Sequence, residues 1–222
     1  MRIPDATYRL QFGPAFGFRD ACGIVSYLRL LGISDIYASP IFYCAEGSTH
    51  GYDVCDPDRL NPELGSDEDF ESLADKVREQ QMGWLQDIVP NHMAYSARNR
   101  RLMETLKFGP RSAYGDFFDI DWEHPALDGK LLAPFLGRHY RQCLDSGEIE
   151  LRAAGGWARM GYYGLELPLS RETSFCLGEK DSAGENAEGR YTAKDFPEGD
   201  LDGIIARQHF APSCWKRADE EI

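Results

Sequence analysis

Runs of β-forming residues alternate with helical patterns through the first part of the chain. The strand-like runs are ATYRLQF at 6–12, ISDIYASP at 33–40 and GWLQDIVP at 83–90. Helical patterns occupy the two intervals, so residues 1–90 read strand, helix, strand, loop, helix, strand. Such alternation favours a parallel sheet joined by right-handed crossovers. The sequence therefore predicts an α/β fold.

Each of the two predicted helices carries its own boundary signal. In the first, four apolar residues fall on one helical face and Gly32 supplies a stop: Ile24, Val25, Leu28 and Leu31. In the second, Ser66 followed three residues later by Asp69 predicts a capping box. We expect this helix to run through Val77.

The pattern changes after the third predicted strand. A helix is expected around Asn99 to Phe108, and two strands are expected within 148–163, joined across Gly155 and Gly156. The stretch 178–200 is acidic and glycine-rich, which is typical of a loop, and the tail could begin a helix that Pro212 interrupts. These features predict a domain over 1–93 and a mixed, partly β subdomain over 94–222.

The charge and the apolar pattern exclude several classes of function. A formal net charge of −13 argues against nucleic acid as a partner, because that affinity rests on Lys and Arg. The N-terminus has no apolar signal region, and no stretch approaches 18 apolar residues, so we expect a cytoplasmic protein without a membrane partner. The six cysteines have no C-x-x-C spacing and favour free thiols over disulfides.

Polar side chains follow the second and third predicted strands. Asp87, Asn91 and His92 stand at the end of the third strand, where parallel sheets place their ligand sites. The loop 46–65 emerges at the same face and contains His50, Tyr52, Asp53, Asp56 and Asn61. The alternative is structural, with a buried Asp and His satisfying loop backbone and a polar surface turn in 46–65.

A tyrosine beside carboxylates, an imidazole and an amide is typical of sugar binding. The aromatic ring stacks on the apolar face of a pyranose, and the polar groups bind its hydroxyls. No H-x-x-x-H, H-E-x-x-H or C-x-x-C motif occurs, so we expect neither a transition-metal site nor a cofactor, while calcium at Asn91 stays open. Phosphate-loop and G-x-S-x-G motifs are also missing from the sequence.

Several motifs in order carry a resemblance to a known family. DIVPNH matches the D-x-V-x-N-H region of the α-amylase superfamily, and further segments are TYRLQF, YLRLLGISDIYASPI, GSTHGYDVCDPDRLNPELG, FGPRSAYGDFFDIDW and LLAPFLG. Together they closely resemble the N-terminal part of maltooligosyltrehalose synthases. The resemblance implies about three units of a (β/α)8 TIM barrel, with the subdomain inserted after strand 3. It also implies a maltooligosaccharide (α-1,4-glucan) substrate, whose reducing-end α-1,4 bond becomes an α,α-1,1 bond.

The resemblance also assigns roles to individual residues. Tyr52 matches the tyrosine that stacks under the reacting glucose, and His92 matches the imidazole that binds its 6-hydroxyl. Asp87 matches a supporting carboxylate that positions an arginine beside the nucleophile, and Asn91 matches an amide that orders the loop. Asp53 follows the stacking tyrosine, and its position, together with that of His50, implies further substrate contacts.

The catalytic pair of the family has no match in this sequence. The F-R-x-D-H segment that carries the nucleophile is missing, and the tail has APS where the family has Arg-Leu. We therefore expect an incomplete copy, inactive by itself, with the arginine partner of Asp87 beyond Ile222. An amylase-like hydrolase or glucanotransferase and a non-catalytic glucan-binding module are the alternatives. An open sheet edge would also favour self-association.

Overall fold

The computed structural model describes residues 3–154, 157–173, 189–192 and 200–216. It is a mixed α/β structure, as the sequence predicts. The chain divides into two compact units, Met1–Asn99 and Arg100–Ile222. In the described part, no helix combines the length and the apolar character needed to cross a bilayer.

A three-stranded parallel sheet organises the first unit. Its strands, in the order β1-β2-β5, are β1 (Thr7–Leu10), β2 (Asp35–Ala38) and β5 (Gly83–Gln86). Tyr8 pairs with Ile36, and Ile36 pairs with Trp84. All three predicted strands are thereby confirmed, and their carboxyl ends point to one edge of the sheet.

Two helices cover one face of this sheet: α1 (Phe18–Leu30) and α2 (Asp67–Glu79). The capping box is confirmed, because the Ser66 hydroxyl accepts from the Asp69 amide while the Asp69 carboxylate accepts from the Ser66 amide. One residue predicted for the apolar face of α1 is wrong, because Leu31 lies at the C-cap and is 55% exposed. The buried residues of α1 are Phe18, Ala21, Val25 and Leu28.

The core of the first unit lies between the sheet and these helices. Aromatic rings cluster at one end, where Phe18 contacts Phe12 and Phe70, and Phe70 packs edge-on against Trp84. Aliphatic side chains fill the remainder and are fully or almost fully buried: Leu10, Val25, Leu28, Ile36, Leu73 and Val77. Burial of this apolar surface is what holds the sheet in place.

The stretch 46–65 is more ordered than the loop that we expected. The chain forms an antiparallel hairpin from β3 (Phe42–Cys44) and β4 (Val54–Leu60), followed by a 3-10 turn at Pro62–Leu64. Val54 and Cys55 are buried, which explains why this segment pairs. The actual connection, residues 45–53, is short and carries the candidate site residues.

The second unit combines short helices with two small sheets. Among the described residues, its helices include α3 (Arg100–Phe108), α4 (Tyr140–Asp145) and α5 (Asp200–Ala206), with a 3-10 turn at Gly109–Arg111. Its strands are β6 (Leu131–Leu136), β7 (Ile149–Ala154), β8 (Trp157–Tyr162), β9 (Leu165–Pro168), β10 (Gly189–Thr192) and β11 (Phe210–Cys214).

The sheets of this unit confirm some predictions and correct others. The four strands β10-β7-β8-β9 are antiparallel, and β7 pairs with β8 as predicted for 148–163. The stretch 178–200 is not all loop, because 189–192 form β10; residues 178–188 and 193–199 lie outside the described part. The tail begins a helix, but Pro212 lies in β11, which pairs with β6 in parallel.

The capping box of α2 gives a stability prediction. Replacing Ser66 by Ala removes a hydrogen-bond acceptor from the first turn, and we expect the free energy of unfolding to fall by about 1 kcal/mol. Ser26→Ala is the matched control, because Ser26 is exposed in the middle of α1, where alanine favours the helix. Urea unfolding of both variants measures the difference. Equal effects of the two substitutions would contradict the assignment.

Candidate functional site

A carboxylate and a phenol meet at the carboxyl ends of the parallel strands. Asp87 follows β5 directly, and Tyr52 lies in the connection between β3 and β4. The Tyr52 hydroxyl donates a hydrogen bond of 2.7 Å to Oδ2 of Asp87. Two residues that the sequence analysis singled out are thus in contact at the edge where parallel sheets bind ligands.

Arg9 from β1 joins this pair. Its Nη1 donates to Oδ2 of Asp87 at 2.9 Å, and its Nη2 donates to the hydroxyl of Tyr52 at 2.9 Å. The guanidinium carbon lies 4.6 Å from the ring centre of Tyr37, which is its registered neighbour on β2. The Tyr37 hydroxyl also lowers the pKa of Asp87. We call Arg9, Tyr37, Tyr52 and Asp87 the Asp87 cluster.

Hydrogen bonding fixes the charge states in the cluster. The bond from Tyr52 lowers the pKa of Asp87, partial burial opposes this, and Arg9 and Tyr37 lower the pKa further. The same bond raises the pKa of Tyr52, because the carboxylate disfavours a second negative charge. At neutral pH, Asp87 is therefore an ionised acceptor and Tyr52 a neutral phenol.

His50 and Asp53 lie in the same connection as Tyr52. The His50 and Tyr52 rings stack with centres 5.8 Å apart and planes 26° apart, and Nδ1 of His50 accepts from the Tyr52 amide at 3.0 Å. The Asp53 carboxylate lies 3.9 Å from that nitrogen. His50 thus supports the tyrosine ring from one side, a contact that the sequence reasoning did not anticipate.

The backbone of this connection is held by its own hydrogen bonds. The Ser48 hydroxyl donates to Asp53 and accepts from the amide of Gly51 at 3.1 Å. Gly51 has φ +74°, and an added Cβ would lie 3.0 Å from the carbonyl oxygen of Pro40. Only glycine fits this position without strain. The tight turn presents Tyr52 toward the strand ends.

Asn91 and His92 are not tied to the cluster. Both side chains are exposed, and neither hydrogen-bonds to any residue in the part of the chain that the structure describes. Asn61, which belongs to the predicted polar set of 46–65, is buried, and its side chain accepts from the Glu63 amide at the start of the 3-10 turn. Its position is that of a structural cap.

The described residues contain no cluster of three or more His, Cys, Asp or Glu side chains that could hold a metal ion. Five of the six cysteines lie in described segments, and all five are free thiols: Cys22, Cys44, Cys55, Cys143 and Cys214. Cys176 lies outside the described part.

The sequence analysis missed Arg9 and Tyr37. The structure pairs Asp87 with Arg9 of the first strand, and the expected arginine partner beyond Ile222 stays a prediction. A signal was present, because an arginine in the middle of a parallel strand is unusual in segments that are normally apolar. The role that the family assigns to Asp87 stays a prediction.

The comparisons with known proteins identify the family of this chain. The family model for the α-amylase catalytic domain matches residues 17–144. The chain belongs to the α-amylase family. A putative maltooligosyl trehalose synthase of Mycobacterium tuberculosis strain H37Rv is 41% identical over 172 residues, which are 74% of this chain and 21% of the relative. The chain thus spans about a fifth of the length of such curated relatives of the α-amylase family.

Solved structures support the same assignment within the α-amylase family. The maltooligosyltrehalose synthase from Arthrobacter ramosus matches with a TM-score of 0.70 and 33% identity, over 96% of this chain and 24% of that one. A hypothetical maltooligosyl trehalose synthase of Sulfolobus tokodaii matches with a TM-score of 0.68 and 30% identity, over 97% and 25%. The chain is therefore similar to TIM-barrel enzymes of the glycosidase type.

The low pKa of Asp87 predicts a pH-dependent contribution to stability. A carboxylate whose pKa falls on folding stabilises the fold above its ordinary pKa, and that stabilisation is lost as the pH falls through the lowered value. Asp87→Asn should therefore cost about 1 kcal/mol near pH 7. The cost should shrink only below the ordinary value of 3.8.

Urea unfolding of wild type and variant at a series of pH values measures this cost. Asp75→Asn on the exposed side of α2 is the control and should change the free energy of unfolding by less than about 0.5 kcal/mol. A cost at Asp87 that does not vary with pH would show that ionisation plays no part.

Proposed function

We propose that the first unit forms the first three β/α units of a (β/α)8 barrel. The parallel order β1-β2-β5, with α1 and α2 as crossovers, supports this. We further propose that the second unit is an insertion after the third barrel strand. Its position in the chain and the similarity to maltooligosyltrehalose synthases over 96% of the chain support that placement.

The site of the first unit binds a maltooligosaccharide, and the observation that carries this proposal is the Tyr52–Asp87 contact at the strand ends. Tyr52 stacks on the reacting glucose with the ring face that His50 leaves open. The ionised Asp87 supports the cluster, and Asp53 and His50 border the sugar. His92 and Asn91, both exposed, are available to bind its hydroxyls.

The reaction of the whole enzyme is an intramolecular transglycosylation in trehalose biosynthesis. Retaining chemistry of this kind needs a carboxylate nucleophile and a carboxylic acid, about 5 to 5.5 Å apart. Asp87 does not suit the acid role, because its lowered pKa keeps it ionised, and the family resemblance makes it a supporting carboxylate rather than the nucleophile. The 222 residues thus supply sugar-binding groups without the catalytic pair.

The partner of this chain is accordingly a neutral α-1,4-glucan in the cytoplasm.

The three-stranded sheet has two edge strands. Among the described strands, β1 and β5 each pair with β2 alone, so both edges are open to pairing with another chain. Self-association through an edge is part of the proposal. Light scattering that gave a monomer at all concentrations would contradict that part.

Isothermal titration with maltopentaose tests the binding proposal. We expect measurable binding to the wild-type chain and about ten-fold weaker binding to Tyr52→Ala, because the stacking surface is lost. Tyr27→Ala on α1 is the matched control, since Tyr27 is 62% exposed and far in sequence from the site. Wild type and control should have equal affinity. The absence of binding to the wild-type chain would contradict the proposal.

An assay for products separates the remaining alternatives. Binding without any new product supports a chain that binds glucan but does not catalyse. Loss of reducing ends with no release of sugar would show that the chain performs the whole isomerisation. Release of short sugars would favour an amylase-like hydrolase.

A further inference from the structure

Arg9 connects the three parts of the candidate site. Its strand, β1, begins the fold, while Tyr52 belongs to the hairpin connection and Asp87 to the end of β5. The two terminal nitrogens of one guanidinium bind different partners, each at 2.9 Å. A rigid strand thereby holds two side chains that lie 35 residues apart in the chain.

The orientation of the guanidinium is itself fixed. Its carbon lies 4.6 Å from the ring centre of Tyr37, so the cation rests against an aromatic face as well as on a carboxylate. Arg9 and Tyr37 are directly paired in the β1–β2 register, which places this contact on regular backbone. The Arg9 side chain is 36% exposed, so its contacts form at the surface of the site rather than in the core.

Tyr52 needs such an anchor. Its ring stands on a turn, where His50 is the one ring that stacks on it among the residues that the structure describes. The hydroxyl donates to Asp87 and accepts from Arg9, which together fix the ring at its far end. A ring that is held at both ends loses little conformational freedom when a sugar stacks on it.

We propose that Arg9 is a positioning residue of the glucan site, which fixes the Tyr52 ring and the Asp87 carboxylate in the arrangement that receives the sugar. The proposal rests on the proposed function and extends it to a residue of the first strand. Arg9 acts through its two partners and makes no contact with the sugar.

An arginine suits this role better than a lysine. The planar guanidinium offers several N–H groups in a fixed fork and can bind a carboxylate and a phenol at once. A lysine ammonium keeps the positive charge but cannot reproduce both directions from one rigid plane. Arg9→Lys therefore separates the effect of charge from the effect of geometry.

The groups that face Asp87 make the positioning role visible in the pKa values of Asp87 and Tyr52. Arg9 from β1 and Tyr52 from the hairpin hydrogen-bond Asp87, and both of them, with Tyr37 from β2, lower its pKa. Arg9 also lowers the pKa of Tyr52, against the larger opposite effect of Asp87. Removal of Arg9 should thus raise the pKa of both groups.

The first test measures the ionisation of Tyr52 without any sugar. The difference in ultraviolet absorbance between a chain and its Tyr52→Phe derivative isolates this phenol. In Arg9→Met the Tyr52 transition should move up by roughly half to one pH unit. Arg19→Met is the matched control, because Arg19 also pairs with a carboxylate, Asp69, at 2.6 Å in the same unit. The control should leave the transition unchanged.

The second test measures maltopentaose binding by the same variants. Arg9→Met should bind about ten-fold more weakly, and its loss of binding in acid should begin at higher pH, because Asp87 protonates earlier. Arg9→Lys should also bind more weakly, but it should lose binding in acid at nearly the same pH as wild type. Arg19→Met should bind like wild type. If circular dichroism shows that Arg9→Met does not fold, the polar replacement Arg9→Gln takes its place in both tests.

The outcomes distinguish this proposal from the proposed function. Wild-type affinity in folded Arg9→Met or Arg9→Gln overturns the positioning role while glucan binding stands. A wild-type chain that does not bind maltopentaose contradicts the proposed function. In that case the ionisation of Tyr52 still tests the positioning role. If Tyr52 ionises at the same pH in Arg9→Met as in wild type, the positioning of Tyr52 is overturned as well, whereas ionisation at higher pH upholds it.

Discussion

The packing of α1 and α2 against one face of the parallel sheet determines where every other feature of the first unit lies. Phe18, Ile36 and Leu73 are completely buried at this junction. Because side chains alternate across a strand, burial of Leu10 and Ala38 on the helix side turns Arg9 and Tyr37 to the opposite face. The hydrophobic core thereby selects which polar residues meet at the site.

The sequence predicted the three parallel strands and the two helices of the first unit, because hydrophobic period and capping signals are local. The Ser66–Asp69 box and the strand ending before Asp87 are examples. Features that depend on distant pairing were missed. β4 forms because it finds β3, and β11 accepts Pro212 because its partner β6 lies beside it, and neither cause is visible in a short window of sequence.

The candidate site shows the same division between local and distant causes. Tyr52 and Asp87 were predicted because each follows a strand, and parallel strands place their carboxyl ends together. Arg9 was not predicted, since its approach depends on the register of β1 against β2 and on the turn at Gly51. His50 could be assigned to the loop but not to the ring of Tyr52, because stacking depends on side-chain directions that spacing does not give.

Charge balance within the cluster fits the proposed binding of a neutral ligand by a strongly acidic chain. The protein carries a formal charge of −13, yet the one carboxylate of the Asp87 cluster is matched by the one guanidinium bound to it. Tyr37 and Tyr52 contribute aromatic surface without charge. A phosphate or other anion would gain little binding energy there, because the Arg9 guanidinium is already paired with Asp87. The net negative charge of the protein would also repel an anion. A polyhydroxylated sugar meets no such cost, since stacking and hydroxyl hydrogen bonds need no net charge from either side.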